Sequence, residues 1–150
     1  MRPVVQTRLH SPGKPGNCFA ACLASLLECD INDVPWPNQA NVDSDDWGSY
    51  WRRIAVWLAE RGLFMIEWDV DVKGPKPWVS DAAADAEAYW LAAGPSPRGV
   101  RHSVVMKGAE IVHDPHPEGG GISAVEIATV IAALDPLEGC KNSMVKSRHG

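Results

Sequence analysis

The feature that most constrains the fold is a change in the apolar pattern at Gly62. Before this glycine, apolar residues recur at helical spacing, most clearly in residues 45–62, "DDWGSYWRRIAVWLAERG", where Gly62 occupies the position of a C-cap. After it, the segments "LFMIEWDV", "AYWLAAG", "HSVVM" and "EIVH" are short and rich in β-branched and aromatic residues, which favour strands. A chain whose helices come first and whose antiparallel strands follow is predicted to have an α+β fold.

The chain has 150 residues, which is enough for one hydrophobic core and typical of a single domain. It contains no internal repeat, no low-complexity segment and no clear linker, so we predict one domain over residues 1–150. Residues 2–7, "RPVVQT", are assigned to a short strand, and residues 123–134, "SAVEIATVIAAL", to another strand despite their alanines.

Charge and hydropathy argue against two classes of partner. The formal net charge is −5 and there is no run of Lys or Arg, so binding of nucleic acid through its phosphates is not expected. No apolar run approaches the roughly 18–20 residues of a membrane-spanning helix, and the first residues lack the apolar stretch of a signal peptide. We therefore expect a cytoplasmic protein that engages neither nucleic acid nor a membrane.

Three of the four cysteines lie within residues 18–29. They do not make a disulfide framework, and no second cysteine pair follows that would complete a zinc site. The run "CFAACLASLL" predicts a helix, and Asn17 before it is a good N-cap residue, which places Cys18 in the first helical turn. Because a helix N-terminus favours negative charge, Cys18 is the candidate nucleophile, whereas Cys22 is expected in the core.

Residues 101–117, "RHSVVMKGAEIVHDPHP", predict a β-hairpin that carries three histidines and an aspartate. The turn at "KGAE" returns the chain antiparallel, which brings Asp114 beside His102. An imidazole held by a carboxylate is the base that a catalytic cysteine needs, so we predict that Cys18, His102 and Asp114 act together. The alternatives are a structural His102 and an Asp114 that only caps the turn after the strand.

The other two histidines of the hairpin have separate predicted roles. His116 is expected on the loop rim, in contact with substrate, and strand alternation points His113 to the face of the sheet opposite Asp114. A different hypothesis makes "HDPH" a metal site with Asp114 between the two histidines. The segment is extended and contains proline, so it does not place both imidazoles on one helical face.

The motifs "GNCFAACLASLL" and, far downstream, "HSVVMKGAEIVHDP" resemble those of the papain-like cysteine hydrolases, in particular the bacteriocin-leader (double-glycine) peptidases. The chain is also similar to short uncharacterised phage and bacterial proteins in "VVQT", "GNCFAAC", "GPSPRG" and "VHDPHP". The resemblance covers residues 4–27 and 94–117. It implies a papain-like fold, with the Cys-bearing helix packed on an antiparallel sheet, and a nucleophile, base and orienter at Cys18, His102 and Asp114.

The resemblance also implies an oxyanion hole made by a glutamine side chain and the backbone N–H of the cysteine. Gln6 is the matching residue, although it lies further from Cys18 than in the leader peptidases, and the loop "LHSPGKPG" accounts for the difference. Gln6 can equally be an ordinary residue of the N-terminal strand. The loops "GPSPRG" and "PEGGG" are expected at the rim of the site.

These observations lead to one main functional hypothesis and two alternatives. We expect a thiol-dependent hydrolase, a peptidase or amidase that cleaves a peptide or isopeptide-like amide bond through a thioester and needs no cofactor. Its partner would be a peptide or protein substrate, in the cytoplasm of a bacterial cell or a phage-infected host, and acyl transfer stays open. The alternatives are the metal site and a non-catalytic phage or bacterial interaction protein that uses an exposed Trp36 in "VPWPNQ" as its contact surface.

Overall fold

The computed structural model of the protein describes residues 1–36, 47–70 and 88–135 together with Leu137. In chain order its elements are α1 (Cys18–Leu27), a 3₁₀ helix (Ile31–Asp33), α2 (Trp47–Ala59), β1 (Leu63–Asp69), β2 (Tyr89–Pro95), β3 (Arg101–Lys107), β4 (Glu110–His113) and β5 (Ile127–Ala133). The predicted order of helices before antiparallel strands is confirmed, and the fold is α+β. Neither α-helix in these ranges is long and apolar enough to cross a bilayer.

The strands form one antiparallel sheet in the order β1-β5-β2-β3-β4. β5, the last strand of the described residues, therefore lies inside the sheet, where Ile127 faces Asp69 of β1 on one side and Ala93 of β2 on the other. This position confirms the strand assignment for the alanine-containing segment. Its β-branched residues suit a strand that is paired along both edges.

The hairpin β3–β4 positions the ends of the two strands that matter for the site. Lys107 pairs with Glu110 across a tight turn, in which Gly108 adopts a positive φ of 57°. Further along, Val105 faces His113 and the register shifts at a β-bulge. A bulge twists the strand locally and changes where the following side chains point. Residues just after β4 therefore lie beside the start of β3.

Helix α1 packs directly against β3. Phe19 and Leu23 of the helix share one buried cluster with Leu91 of β2 and Val105 of β3. Cys22 belongs to the same cluster and is fully buried, which confirms its predicted place in the core. This packing fixes α1, and therefore its first residue, against the strand that begins next to His102.

The predicted N-terminal strand is wrong. The structure assigns no strand to residues 2–7, whose backbone bonds instead reach two different elements. The N–H of Arg2 donates to Ser25 O of α1 at 3.1 Å, and the N–H of Gln6 donates to Pro115 O after β4 at 2.9 Å. The segment therefore does not join the sheet, and it ties the helix to the end of the hairpin.

The expectation of an exposed Trp36 is also wrong. Its side chain is only 5% exposed, and its Nε1–H donates to Gly16 O at 3.0 Å. A buried tryptophan with its polar atom satisfied packs as part of the protein rather than as a free contact surface. Residues 81–87, "DAAADAE", have a composition that allows either a helical turn or a surface loop, and they lie outside the described residues, as does Cys140.

Candidate active site

The structure brings His102 and Asp114 together. His102 is the second residue of β3 and is only 3% exposed, while Asp114 directly follows β4. The ring Nε2 of His102 lies 2.7 Å from Asp114 Oδ1. A short bond between an imidazole and a carboxylate is a charge-assisted interaction, stronger than one between neutral groups.

Two backbone amides hold the Asp114 carboxylate in place. Oδ1 also accepts from the N–H of His116 at 2.8 Å, and Oδ2 accepts from the N–H of Gly121 at 2.7 Å. Burial raises the pKa of Asp114, but the bonds from His102, His116 and Gly121 outweigh it, so the pKa lies below its ordinary value. The carboxyl group is therefore ionised at neutral pH, and it can only accept hydrogen bonds.

An ionised Asp114 determines where His102 carries its proton. Nε2 must donate to the carboxylate, so in the neutral ring Nδ1 has the free lone pair. Burial lowers the pKa of His102; Asp114 raises it, and the charges of Arg98 and His116 lower it, with a net shift downward. His102 is therefore a neutral imidazole at pH 7 with Nδ1 available to accept a proton.

Cys18 begins α1, as predicted, but Asn17 does not cap the helix with its side chain. Asn17 is fully buried, and its Oδ1 accepts from the N–H groups of Thr7 and Arg8 at 3.1 and 2.9 Å. Its Nδ2 donates to Thr7 Oγ1 at 2.8 Å. The Asn17 side chain therefore anchors the N-terminal segment and accepts no hydrogen bond from the first N–H groups of α1.

The glycine before Asn17 allows the loop to pack this closely. A Cβ on Gly16 would lie 2.9 Å from His10 N and 3.1 Å from Arg8 O. Both are backbone atoms, which cannot yield as a flexible side chain does. Only glycine therefore lets the chain enter α1, and so Cys18, along this path.

The Cys18 thiol has a pKa above its ordinary value. Burial raises it, and hydrogen bonding from the main chain and hydroxyl of Ser103 lowers it only in part. The direction is opposite to the one that the helix N-terminus alone predicts. The raised pKa of Cys18 and the lowered pKa of His102 both favour the neutral forms, a thiol and an imidazole, and both side chains line the same cavity. Within the described part of the chain no hydrogen bond joins Cys18 Sγ to the His102 ring.

That cavity has a volume of about 540 Å³, within the usual range for ligand sites. Its wall includes Cys18, His102, Ser103, Gln6 and His116. The predicted site residues therefore converge on one space, with Asp114 behind His102 rather than in the lining. Catalytic contacts in an unliganded site are often longer than in the substrate complex, so a thiol and an imidazole in one wall are compatible with proton transfer.

Gln6 lies at the cavity as predicted for an oxyanion-hole residue, but one of its amide protons is already in use. Its Nε2 donates to Arg8 O at 2.8 Å, and among the described residues its buried Oε1 has no partner. A buried acceptor without a partner costs about 1–3 kcal/mol. Arg8 O is an acceptor, so it must face the NH₂ group of the Gln6 amide and not its oxygen, which fixes the orientation of the amide. The second N–H of that NH₂ group is left for another acceptor.

His116 is more buried than a residue on a loop rim, at 9% exposed. Its Nδ1 accepts from the N–H of Glu118 at 3.1 Å, so a neutral ring carries its proton on Nε2. The ring stands edge-on to that of His102, with centroids 6.0 Å apart and planes at 84°. A histidine with a fixed donor nitrogen on the cavity wall can hydrogen-bond an acceptor atom of a ligand.

The side chains of the proposed metal site do not converge on one point. His113 points away from the His102–Asp114 pair, and its Nε2 lies 2.8 Å from Val4 O. In the ranges that the structure describes, no group of three or more His, Cys, Asp or Glu side chains is placed to hold a metal ion. The two histidines of "HDPH" thus have different partners.

Sequence reasoning missed Ser103 and Arg98. Ser103 is buried and bonds to Cys18, whereas strand alternation would place a residue directly after His102 on the opposite face, so no sequence signal marked it. Arg98 lies in "GPSPRG", and its guanidinium donates to Gly119 O in "PEGGG" at 2.6 Å. This bond joins the two loops that were expected at the rim.

The chain was compared with protein-family models, with curated proteins and with solved structures, and none of them matches it.

Proposed function

We propose that the protein is a thiol-dependent hydrolase of papain-like type that cleaves a peptide or isopeptide-like amide bond. Cys18 is the nucleophile, His102 the base and Asp114 the residue that orients the base. The observation that carries the proposal is a buried imidazole whose Nε2 lies 2.7 Å from Asp114 Oδ1 and which shares a cavity with Cys18. A cysteine, a histidine and a third group that orients the histidine are the parts that nucleophilic catalysis needs.

The first half of the reaction follows from the neutral states of the two groups. His102 Nδ1 takes the proton of Cys18 as Sγ bonds to the carbonyl carbon, and the π electrons move to the oxygen. The Cys18 N–H and the remaining N–H of Gln6 stabilise the oxyanion, while Asp114 stabilises the imidazolium. His102 then gives its proton to the leaving nitrogen, the C–N bond breaks and a thioester remains.

Water completes the cycle at the same residues. His102 Nδ1, neutral again, removes a proton from a water whose oxygen bonds to the thioester carbon. The C–S bond breaks, Cys18 regains a proton from His102, and the acid product leaves. An amine in place of water would give acyl transfer by the same steps, so the nature of the acceptor decides between hydrolysis and transfer.

The test is the rate at which iodoacetamide alkylates Cys18 between pH 4 and 9, mapped by mass spectrometry. Cys29 is half-buried and serves as a reference thiol within the same chain. We expect Cys18 to react faster than Cys29 at pH 7, and His102→Ala to lower the Cys18 rate by roughly 10²-fold, the lower end for a general base. His113→Ala is the matched control, because His113 bonds to Val4 O instead.

Equal labelling of both thiols, unchanged by His102→Ala, would refute the hydrolase and favour the non-catalytic interaction protein. The contact surface suggested for that interaction protein was an exposed Trp36, and Trp36 is buried. We place the activity in the cytoplasm of a bacterial cell or phage-infected host, with a peptide or protein substrate. The supporting observation is the resemblance of the motifs around Cys18 and His102 to those of the bacteriocin-leader peptidases and of short phage and bacterial proteins.

A further inference from the structure

One side of the cavity is aromatic. Four rings line it, and we call them the aromatic wall: Phe19, Trp36, Trp47 and Trp51. The ring centroid of Trp36 lies 5.1 Å from that of Phe19 and 5.8 Å from those of Trp47 and Trp51. These are spacings of direct aromatic contact, so the rings form one continuous apolar surface.

The aromatic wall is fixed relative to the nucleophile. Phe19 directly follows Cys18 in α1, and Trp36 is bonded through Nε1 to the carbonyl of Gly16. The side chains of Phe19 and Trp36 are only 7% and 5% exposed, so packing against the protein holds these two rings in place. A ligand group that rests on the wall would therefore have a defined position beside the Cys18 thiol.

Part of the wall is uncovered. Trp47, the first residue of α2, is 42% exposed although it lines the cavity, whereas Trp57 on the same helix is buried. Burial of apolar area is favourable in proportion to that area, so a ligand that covers Trp47 gains affinity from it. A polar ligand group would gain nothing comparable there.

The charged groups around the cavity give no net preference for a cationic ligand. Arg98 lies in the lining, and among the described residues it has no carboxylate partner. Arg101 also lines the cavity but is paired with Glu126 at 2.6 Å. Glu67 is the one carboxylate in the described lining, and it accepts a bond from Thr129. Arg98 and Glu67 thus give the described lining one uncompensated charge of each sign, so the lining offers no net attraction for a cationic group.

We propose that the aromatic wall is the subsite for a large, uncharged apolar side chain, aromatic by preference, next to the reacting carbonyl of the substrate. The proposal rests on the proposed function, because it assigns a substrate class to the Cys18 site. It predicts that amides with a small or cationic group at this position are poor substrates.

Three haloacetamides that differ only in their tails test the proposal. Iodoacetamide has no tail, N-benzyl iodoacetamide has an aromatic one, and the N-(2-trimethylammonioethyl) derivative has a cationic one. In each, Cys18 Sγ bonds to the methylene carbon, iodide leaves and the thiol proton passes to His102. The readout is the ratio of each tailed rate to the iodoacetamide rate, at Cys18 and at Cys29.

We expect the benzyl tail to accelerate labelling of Cys18 by about 10-fold or more, as apolar pockets discriminate. The ratio at Cys29 is expected near one, and the cationic tail is expected to give no gain at Cys18. Trp47→Ala is expected to reduce the benzyl ratio at Cys18 towards one, and Trp47→Phe to retain most of it. Val56→Ala is the matched control, because Val56 is an exposed apolar residue of the same helix outside the cavity.

The outcomes separate this proposal from the proposed function. If Cys18 reacts with iodoacetamide in a His102-dependent way but shows no benzyl preference, the subsite is refuted and the hydrolase stands. A larger gain from the cationic tail would overturn the uncharged class. A Cys18 that is no more reactive than Cys29 with every reagent would overturn both.

Discussion

Replacing Asp114 with asparagine changes the bonding of three donors and keeps the shape of the side chain. The carboxylate accepts from His102 Nε2, from the N–H of His116 and from the N–H of Gly121. An asparagine has one oxygen, and its NH₂ group must face either His102 or Gly121. If it faces His102, Nε2 becomes the acceptor and the proton moves to Nδ1, which can then no longer act as the base.

The alternative orientation of the asparagine also has a cost. Its NH₂ would face the N–H of Gly121, leaving a partly buried donor without an acceptor, at about 1–3 kcal/mol. The bond to His102 would survive but lose the carboxylate charge, and bonds to charged groups contribute about 1.5–3 kcal/mol against about 1 for neutral ones. Both orientations weaken His102 as a base, and in the first orientation Nδ1 carries the proton and cannot act as a base at all.

We therefore expect Asp114→Asn to lower the His102-dependent rate of Cys18 alkylation by roughly 10²-fold. We also expect it to lower the free energy of unfolding by about 1–3 kcal/mol, measured by urea titration. Alkylation of Cys29 provides the control for the reagent and for general unfolding. A variant whose Cys18 rate and pH profile match the wild type would show that Asp114 does not orient the base.

Three further predictions concern pH, the thiol and packing. The free energy of unfolding is expected to fall as pH drops below about 6.5, because the pKa of His102 is lower in the folded protein than in the unfolded chain. The unfolded chain therefore binds more protons between these two pKa values, and in urea titrations His102→Gln is expected to show a smaller fall. Ser103→Ala is expected to raise the pKa of Cys18 further, moving its alkylation profile to higher pH, and an unmoved profile would rule out the Ser103 bond. Gly94→Ala is expected to lower the free energy of unfolding by about 1–3 kcal/mol in urea, because its Cβ would overlap the carbonyl oxygen of Ala124; unchanged stability would contradict that clash.

The sequence predicted those parts of the fold that depend on local pattern. Helical spacing identified α1 and α2, and β-branched and aromatic runs identified the strands, including β5. The hairpin turn at Gly108 was also predicted, and with it the closeness of His102 and Asp114. Pattern sufficed here because both residues belong to one supersecondary unit, whose ends must meet.

The misses depend on contacts between residues far apart in the chain. The run at residues 2–7 has strand composition, but its backbone partners are Ser25 O and Pro115 O rather than a neighbouring strand. Trp36 stands among prolines, which suggests an exposed loop, yet its indole reaches Gly16 O. Asn17 has the side chain of a helix cap but bonds to Thr7 and Arg8 instead. Composition does not encode which distant partner a polar group will find.

The protonation states of the site are the clearest case of a property that only the fold determines. Sequence position alone puts Cys18 at a helix N-terminus, where a lower thiol pKa is expected. Burial opposes this effect of the helix N-terminus, because it raises the pKa of Cys18. Burial also lowers the pKa of His102, and both shifts favour a neutral thiol beside a neutral imidazole. Proton transfer must then accompany attack on the substrate, when the oxyanion donors and Asp114 stabilise the new charges. The partly aromatic cavity that we propose as the subsite for an apolar substrate thus also holds Cys18 as a neutral thiol, so any electrophile that enters it, iodoacetamide included, depends on His102 to remove the proton.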